Sequence, residues 1–319
     1  MNVGNGTAHT SLPWFAVLNP AAGGGRALRG RRRIEATLQA AGVPCRLALS
    51  EHPGHAIALT QAAANEGFRR FIAIGGDGTL NEAVNGVMRA GVPPGAATLA
   101  LLPVGRGDDW ARTHRIPRRL EAAVRLIAAG RSAFHDVGVA QFGDGGARYF
   151  LNVAGVGFDA YVVEQTRTLR LGPLSYLAGL LRGFASYRAP RMTLQAEAMT
   201  IDQPLFVTFA AVGRYCGGGM HVAPRAATDD GMLDVVTIGE IGRVELLLNL
   251  HRLFDGSLLD YSKVKSARCE RLRVETAPPA GVQADGELLG QAPVTFSVLP
   301  RALRVIVSDA PAPGDGAHG

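Results

Sequence analysis

The chain has 319 residues, 47% apolar and 19% charged, which excludes a largely disordered protein and leaves room for two domains. Three widely spaced cysteines, Cys45, Cys216 and Cys269, form no CxxC pair; a Cys-based zinc site and a disulfide framework are excluded, and a reducing compartment fits. The formal net charge is +6, carried almost wholly by arginines clustered at 26–33 ("RALRGRRR") and between Arg112 and Arg125, either a solvated face or an attraction for polyanions.

In chain order, "WFAVL" (14–18) reads as a buried strand, followed by the turn "NPAAGGG" and a helix to about residue 41. "CRLALS" (45–50) is strand-like, 54–66 helical, and "FRRFIAI" (68–74) a strand. A helix over 79–90, the strand "ATLALLP" (97–103) and helical turns to about residue 129 follow. This alternation predicts a Rossmann-like three-layer α/β domain with a parallel sheet, over residues 12–136. The rhythm changes at residue 132, where "SAFHDVGVAQFGDGGARYFLNVAG" reads as a hairpin around "GDGG". Strands are predicted at 191–199, 204–213, 232–238, 268–276, 293–299 and 303–308, with helical interruptions at 159–187 and 242–255. The expectation is a β-rich second domain over 137–308, its last strand able to return to the first domain, with 1–11 and 309–319 as flexible termini.

The N-terminal residues lack the basic start and apolar core of a secretory signal, and no apolar run reaches the roughly 18 residues of a membrane span. A cytoplasmic protein is expected. Nucleic acid is not an expected partner, because aromatics are only 6% and no recognition motif accompanies the arginines.

The chemistry concentrates in "FIAIGGDGTLNEAVNGV" (71–87), a strand, a glycine loop and a helix. A dinucleotide fingerprint fails because its third glycine is Asn81, and a Walker loop fails because no lysine precedes Lys263. "TLNE" reads as a capping box, with Thr79 capping the helix and Glu82 reaching back; a rigid helix start presents N–H groups to an anion. Asp77 would repel a phosphate unless a cation or a proton intervenes. It implies a metal–nucleotide complex or a base near a transferring phosphoryl group.

"NPAAGGG", "GGDGTLNE", "LPVGRGDDWAR", "NVAGVGFDA", "CGGGMHVAPRAATDDGMLDVV" and "ADGEL" stand in the order seen in the diacylglycerol kinase catalytic-domain family, which includes YegS-type lipid kinases and is related to sphingosine and ceramide kinases. Over roughly residues 12–308 the chain resembles that family. The resemblance implies an N-terminal ATP-binding domain, a C-terminal β-sandwich, and an active site in the cleft between them. It implies Asn19, Pro20, Gly23 and Gly24 as the first nucleotide loop, Ser50 as a hydroxyl near the nucleotide, and Gly75, Gly76, Asp77, Gly78, Thr79 and Asn81 as the phosphate loop, with Glu82 at the helix start. "TDDGML" resembles the family's magnesium site, with Asp230 as side-chain ligand and Ala227 and Met232 giving backbone carbonyls. Asp285 would be the general base toward a lipid hydroxyl, Glu287 its neighbour in that role, and Asp77 a third catalytic carboxylate. "LGPLSYLAGLLRGFASYR" (171–188) is the candidate lipid-facing helix, with Arg170, Arg182 and Arg188 for headgroups. The expected activity is γ-phosphoryl transfer from Mg-ATP to a lipid at the inner face of the membrane, with a homodimer expected by family analogy.

The chain departs from the family where members read "GTxND": here Gly105-Arg106-Gly107-Asp108-Asp109 stand. Arg106 either binds a phosphate or obstructs the adenosine site. Two other readings stay open: an NAD-kinase-like phosphotransferase, which shares GGDGT, and a non-catalytic lipid-binding protein with a degenerate nucleotide site.

Overall fold

Strand β1 (Trp14–Leu18) is buried at every position, as a strand covered on both faces must be. In the computed structural model, which describes residues 13–105, 108–166, 187–197 and 199–308, it lies between β2 (Cys45–Leu49) and β3 (Arg70–Gly75), parallel to both, and β3 runs parallel to β4 (Thr98–Pro103). Successive side chains point to opposite faces. Phe15, Val17, Phe71, Ala73, Leu99 and Leu101 meet α3 (His55–Asn65) and α4 (Asp77–Arg89). Trp14, Ala16, Leu18, Ile72, Ile74 and Leu102 meet α2 (Arg31–Ala40) and α6 (Leu120–Ala129) on the other side. The three-layer α/β domain is thus the one that the strand–helix alternation predicts. The short helices α1 (Ala22–Arg29) and α5 (Asp109–Thr113) sit at the carboxyl ends of β1 and β4.

The second half is a β-sandwich. The "GDGG" hairpin is β5 (Ser132–Phe142) with β6 (Ala147–Phe150). They are followed by β7 (Val153–Gly157), α7 (Phe158–Thr166), β8 (Arg191–Ala196), β9 (Met199–Ala211) and β10 (Leu233–Gly239). Next come α8 (Arg243–Asn249), α9 (Arg252–Asp255), β11 (Val264–Cys269), β12 (Arg271–Ala277), β13 (Gly281–Ala284), β14 (Glu287–Gln291) and β15 (Val294–Ile306). Between the layers lie Phe150, Met192, Leu194, Val235, Leu272, Val274, Val282 and Phe296.

Three sequence expectations change. The predicted strand 268–276 is broken at Glu270, because β11 pairs with β10 in one layer whereas β12 pairs with β8 and β15 in the other. The strands predicted at 293–299 and 303–308 are one strand, β15, with a register shift between Leu299 and Leu303. The expected boundary at 136/137 falls inside β5, which pairs with β15 from Ser132↔Ile306 to Phe142↔Val294. One end of this ladder continues the parallel sheet, where β15 pairs with β4, and the other joins the sandwich, where β15 pairs with β12. Most of the apolar stretch 171–188, with Arg170, Tyr176 and Arg182, lies outside the described residues; Tyr187 packs on Phe158 and Phe206. Among the described residues no helix is long and apolar enough to cross a membrane.

Helices α3 and α4 cross closely at Gly86. A Cβ there would lie 1.9 Å from Thr60 Oγ1 and 2.4 Å from the Ile57 carbonyl oxygen, so one added methyl must push the two backbones apart. Gly86→Ala is expected to lower unfolding stability by about 1–3 kcal/mol in denaturant titration. An unchanged midpoint would show that the crossing has slack.

Candidate active site

Strands β1 and β3 end side by side, so the loops that follow them are neighbours. The Asn19 N–H donates to the Ile74 carbonyl at 3.1 Å, its Nδ2 to Thr79 Oγ1 at 3.4 Å, and its Oδ1 accepts the Ala21 N–H at 2.9 Å. Gly23, Gly24 and Gly25 follow in the left-handed region, and a Cβ on Gly23 would meet the Val104 carbonyl oxygen at 2.3 Å. At Gly75 the obstacle is the Thr79 hydroxyl, 2.2 Å from an added Cβ. These loops line a cleft of about 520 Å³ at the carboxyl ends of the parallel strands, where open α/β sheets bind ligands. Asn19, Pro20, Ser50, Gly76, Gly78, Thr79 and Glu82 all face it. So does His52, which the sequence reading missed and which stacks on His55 with ring centroids 5.0 Å apart. Arg106 and Gly107 lie outside the described residues.

The capping box does not form. Helix α4 begins at Asp77, with Gly76 as its cap residue and no side-chain cap bond, so Thr79 already lies within the first turn. Glu82 reaches to α3 instead, accepting the N–H groups of Gly54 (2.9 Å) and Ala56 (3.1 Å). Asp77 acts likewise toward α5, its carboxylate accepting the N–H groups of Asp109 (2.8 Å) and Trp110 (3.2 Å). The acidic side chains of α4 therefore satisfy the open amides of two neighbouring helices.

Asn81 points away from the cleft. Its amide donates to Asp285 Oδ2 at 2.9 Å and to the Tyr149 carbonyl at 3.0 Å. Asp285 is the first residue of an Asp-Gly turn between β13 and β14, with φ +48° there and +84° at Gly286, the left-handed pair such hairpins require. It also accepts the N–H groups of Leu151 (2.8 Å), Asn152 (2.9 Å) and Val153 (3.2 Å). A carboxylate has about four acceptor positions, and these four bonds fill those of Asp285 in this structure. The residue expected as general base is also the pin joining α4 to the sandwich. Glu287 pairs with Arg148.

Asp77, Asp109 and Asp285 act on one another electrostatically. Burial, then the Asp109 charge, pushes Asp77 up to about 8 against the two N–H bonds it accepts. Asp285 and Asp109 are also raised, by burial first, as is Glu287 against the pull of Arg148. Asp109 Oδ2 accepts the Gly218 N–H at 2.8 Å. Its buried Oδ1 has no partner, whereas both oxygens of Asp77 and of Asp285 are hydrogen-bonded. An unpartnered oxygen among mutually repelling carboxylates suits a cation. The loop expected to hold magnesium offers less. Asp230 pairs with Arg268 and accepts the Met232 N–H at 3.1 Å, so both its oxygens already have partners. No cluster of three or more metal-ligating side chains occurs among the described residues.

Asp159 in "NVAGVGFDA" also escaped the sequence reading. It is 4% exposed, bonded by Gln283, and borders an apolar cavity lined by Phe158, Phe206, Phe209, Met220 and Ile238. An acidic residue at the start of a helix is unremarkable in sequence, and only the sandwich packing puts it beside that cavity.

Residues 13–140 match the diacylglycerol kinase catalytic domain, and residues 152–307 the YegS C-terminal NAD kinase beta sandwich-like domain. A protein of Pseudomonas fluorescens strain Pf-5, named "Probable lipid kinase YegS-like", is 32% identical over 278 residues, covering 86% of this chain and 89% of its own. The chain belongs to the diacylglycerol kinase and YegS-like lipid kinase family. Another member, "Diacylglycerol kinase" of Mycobacterium tuberculosis H37Rv, is 27% identical over 311 residues, or 96% of this chain and 98% of that protein. The fold is also that of a diacylglycerol kinase crystal structure from Bacillus anthracis str. Sterne, with a TM-score of 0.72 at 21% identity, covering 93% of this chain and 97% of that one. Membership supports a lipid-kinase-like enzyme and, in general, nucleotide use.

The raised Asp77 has a consequence for stability. Its folded-state value of about 8 lies above the ordinary 3.8, so the folded state holds a proton that the unfolded chain releases. The resulting stabilisation is complete below about pH 4 and is lost as pH rises toward 8. Asp77→Asn removes this group. Its unfolding free energy should therefore gain on the wild type's between pH 5 and pH 9 in denaturant melts. Parallel pH profiles of the two proteins would contradict the shift.

Proposed function

We propose that the chain transfers the γ-phosphoryl group of ATP to the hydroxyl of a lipid. The observation that carries this reading is the placement of Asp77, Asp109 and Asp285 at the cleft: Asp77 stands between Gly76 and Gly78, which line the glycine-lined cleft, and buried Asp109 bonds Gly218, two residues before Met220 in the wall of the apolar cavity. The cleft suits a nucleotide, because its glycine loops allow close approach of phosphates and its helix start offers N–H groups.

The cavity's apolar walls suit hydrocarbon, and at about 50 Å³ it must widen to take an acyl chain. Its cover is α8, α9 and the turn between them, which send Leu246, Leu250 and Leu253 inward and leave Val244, Leu247, Leu248 and Phe254 52–71% exposed. Short helices that are apolar on both sides fit a lipid surface better than water. This supports peripheral contact with a membrane and favours a lipid over a soluble dinucleotide as acceptor.

Asp77 is the proton acceptor in this reading. Two of its four acceptor positions are filled, and its raised affinity for protons lies close to the working pH, as general-base catalysis favours. The lipid hydroxyl proton passes to the Asp77 carboxylate. The oxygen left behind forms a bond to the γ-phosphorus, the bond to the bridging oxygen breaks, and ADP departs. Asp285 holds the β13–β14 turn and α4 in register, and Glu287 is kept beside it by Arg148. Asp159 accepts a hydrogen bond from the polar head of the lipid at the cavity's edge. A magnesium ion bound with the nucleotide would supply neutralisation of phosphate charge, and Asp109, whose Oδ1 has no partner, is the residue that would hold it.

Label transfer from γ-labelled ATP to diacylglycerol, a sphingoid base, phosphatidylglycerol and NAD tests the reading. Label is expected in a lipid and not in NAD; label in NAD alone, or in none, overturns it. Asp77→Asn should lower kcat by roughly 10²–10⁴ with ATP affinity kept, whereas Asp159→Ala should act mainly on KM for the lipid. Leu247→Glu with Leu248→Glu should weaken sedimentation with anionic vesicles and leave ATP affinity unchanged. Undiminished sedimentation would remove α8 from the membrane contact.

A further inference from the structure

Two arginine-rich stretches, 26–33 and 112–125, have no part in the nucleotide cleft or the lipid cavity. Remote in sequence, they meet in the fold. Helices α2 and α6 pack against the same face of the parallel sheet and are tied by the Arg33–Glu121 ion pair at 2.5 Å. Beside that tie opens a cleft of about 700 Å³. Arg26, Arg33, Arg118 and Arg119 stand on its walls, with Glu121 the one acidic side chain lining it among the described residues. Helix α6 starts on this wall, and its cap residue Arg119 offers no side-chain acceptor, so the helix dipole adds to the positive field. Planar guanidinium groups on these walls, beside a helix start, are suited to a phosphate.

This cleft lies back to back with the nucleotide cleft, and Gly105 lines both. Two of its arginines also hold the loops on the nucleotide side. Arg26 donates to the Gly23 carbonyl at 2.9 Å and to the Val104 carbonyl at 3.4 Å. Arg118 pairs at 3.1 Å with Asp108, whose side chain is 2% exposed. An anion that draws these guanidinium groups toward itself competes with Gly23, Val104 and Asp108 for the same donors.

We propose that the cleft walled by Arg26, Arg33, Arg118 and Arg119 is a second anion site, for a ligand bearing a terminal phosphate, and that its occupation weakens nucleotide binding by loosening these ties. The coupling rests on the nucleotide reading; the anion site does not. Coupling of this kind is reciprocal, so nucleotide must weaken the anion equally.

The test is calorimetric titration of pyrophosphate at constant ionic strength, into wild type and into an Arg33→Ala/Arg119→Ala variant. Both proteins are first saturated with a non-hydrolysable ATP analogue. The wild type should keep one pyrophosphate site that is about tenfold or more weaker in the variant, given the strength of charge-assisted bonds. Absence of that site, or equal affinity in both proteins, overturns the proposal. Arg33→Lys/Arg119→Lys keeps the charge without the planar fork and should recover affinity only in part; equal loss in a variant with a lowered melting temperature and in this lysine variant would indicate misfolding and count against the site. Analogue affinity without pyrophosphate should be the same in wild type and alanine variant, and added pyrophosphate should weaken it further in the wild type. An equal effect in both proteins overturns the coupling. If the analogue does not bind at all, the nucleotide reading fails, and pyrophosphate titration of the two proteins still decides the site. Vesicles of phosphatidylcholine with and without phosphatidate identify the source. Retention that needs phosphatidate and the two arginines assigns the phosphate to a lipid, and pyrophosphate binding without such retention assigns it to a soluble ligand.

Discussion

The ladder between β5 and β15 is the constraint on which the rest of this molecule depends. Ten registered pairs run from Ser132↔Ile306 to Phe142↔Val294, and each end belongs to a different half of the protein. A backbone hydrogen-bonded array cannot bend like a linker, so the parallel sheet and the sandwich are held in a set relation. The grouping of Asp285 with Asp77 and Asp109 exists because of that relation. Asn81 on α4 can meet Asp285 on the β13–β14 turn only if the two halves are registered to within a hydrogen-bond length.

Helix α4 is the second organising element. Its Asp77 and Glu82 bond the first amides of α5 and α3, and its Asn81 and Asn85 bond the backbone at Tyr149. One helix thus positions two others and a hairpin by charge-assisted or amide hydrogen bonds, which are directional and short in range. Its own glycine start is left open toward the nucleotide cleft. This explains why a loop suited to phosphate carries a carboxylate at its centre: Asp77 first serves the fold, and burial in that duty raises its proton affinity to a range useful for catalysis.

The charge distribution is strongly polarised across the loop after β4. On one side, buried carboxylates raise one another's proton affinity; on the other, exposed arginines line a separate cleft. The loop between them touches both, with Arg118 pairing Asp108 and Arg26 bonding Val104. Field and backbone ties are both short-ranged here, so a change of charge on either side is felt by the same few residues.

Much of this was legible in the sequence. Short apolar runs alternating with helical stretches are local properties, and they determined the α/β half, the glycine turns and the β-rich second half. The ordered motifs determined the family. What they could not convey was partnership between distant residues. A capping box and a reach to another helix use the same Thr79 and Glu82, and only the position where α4 starts decides between them. An Asp-Gly turn marks Asp285 as a turn residue or a base, and only the fold brings four N–H donors from distant segments onto it. Asp159 needed the sandwich packing to stand beside an apolar cavity, and the two arginine stretches needed α2 and α6 side by side. Sequence alone determined which elements form, because propensity and periodicity act over a few residues. The tertiary structure alone decided which carboxylates retain acceptor capacity and which arginines converge, because burial and hydrogen-bond saturation depend on neighbours remote along the chain.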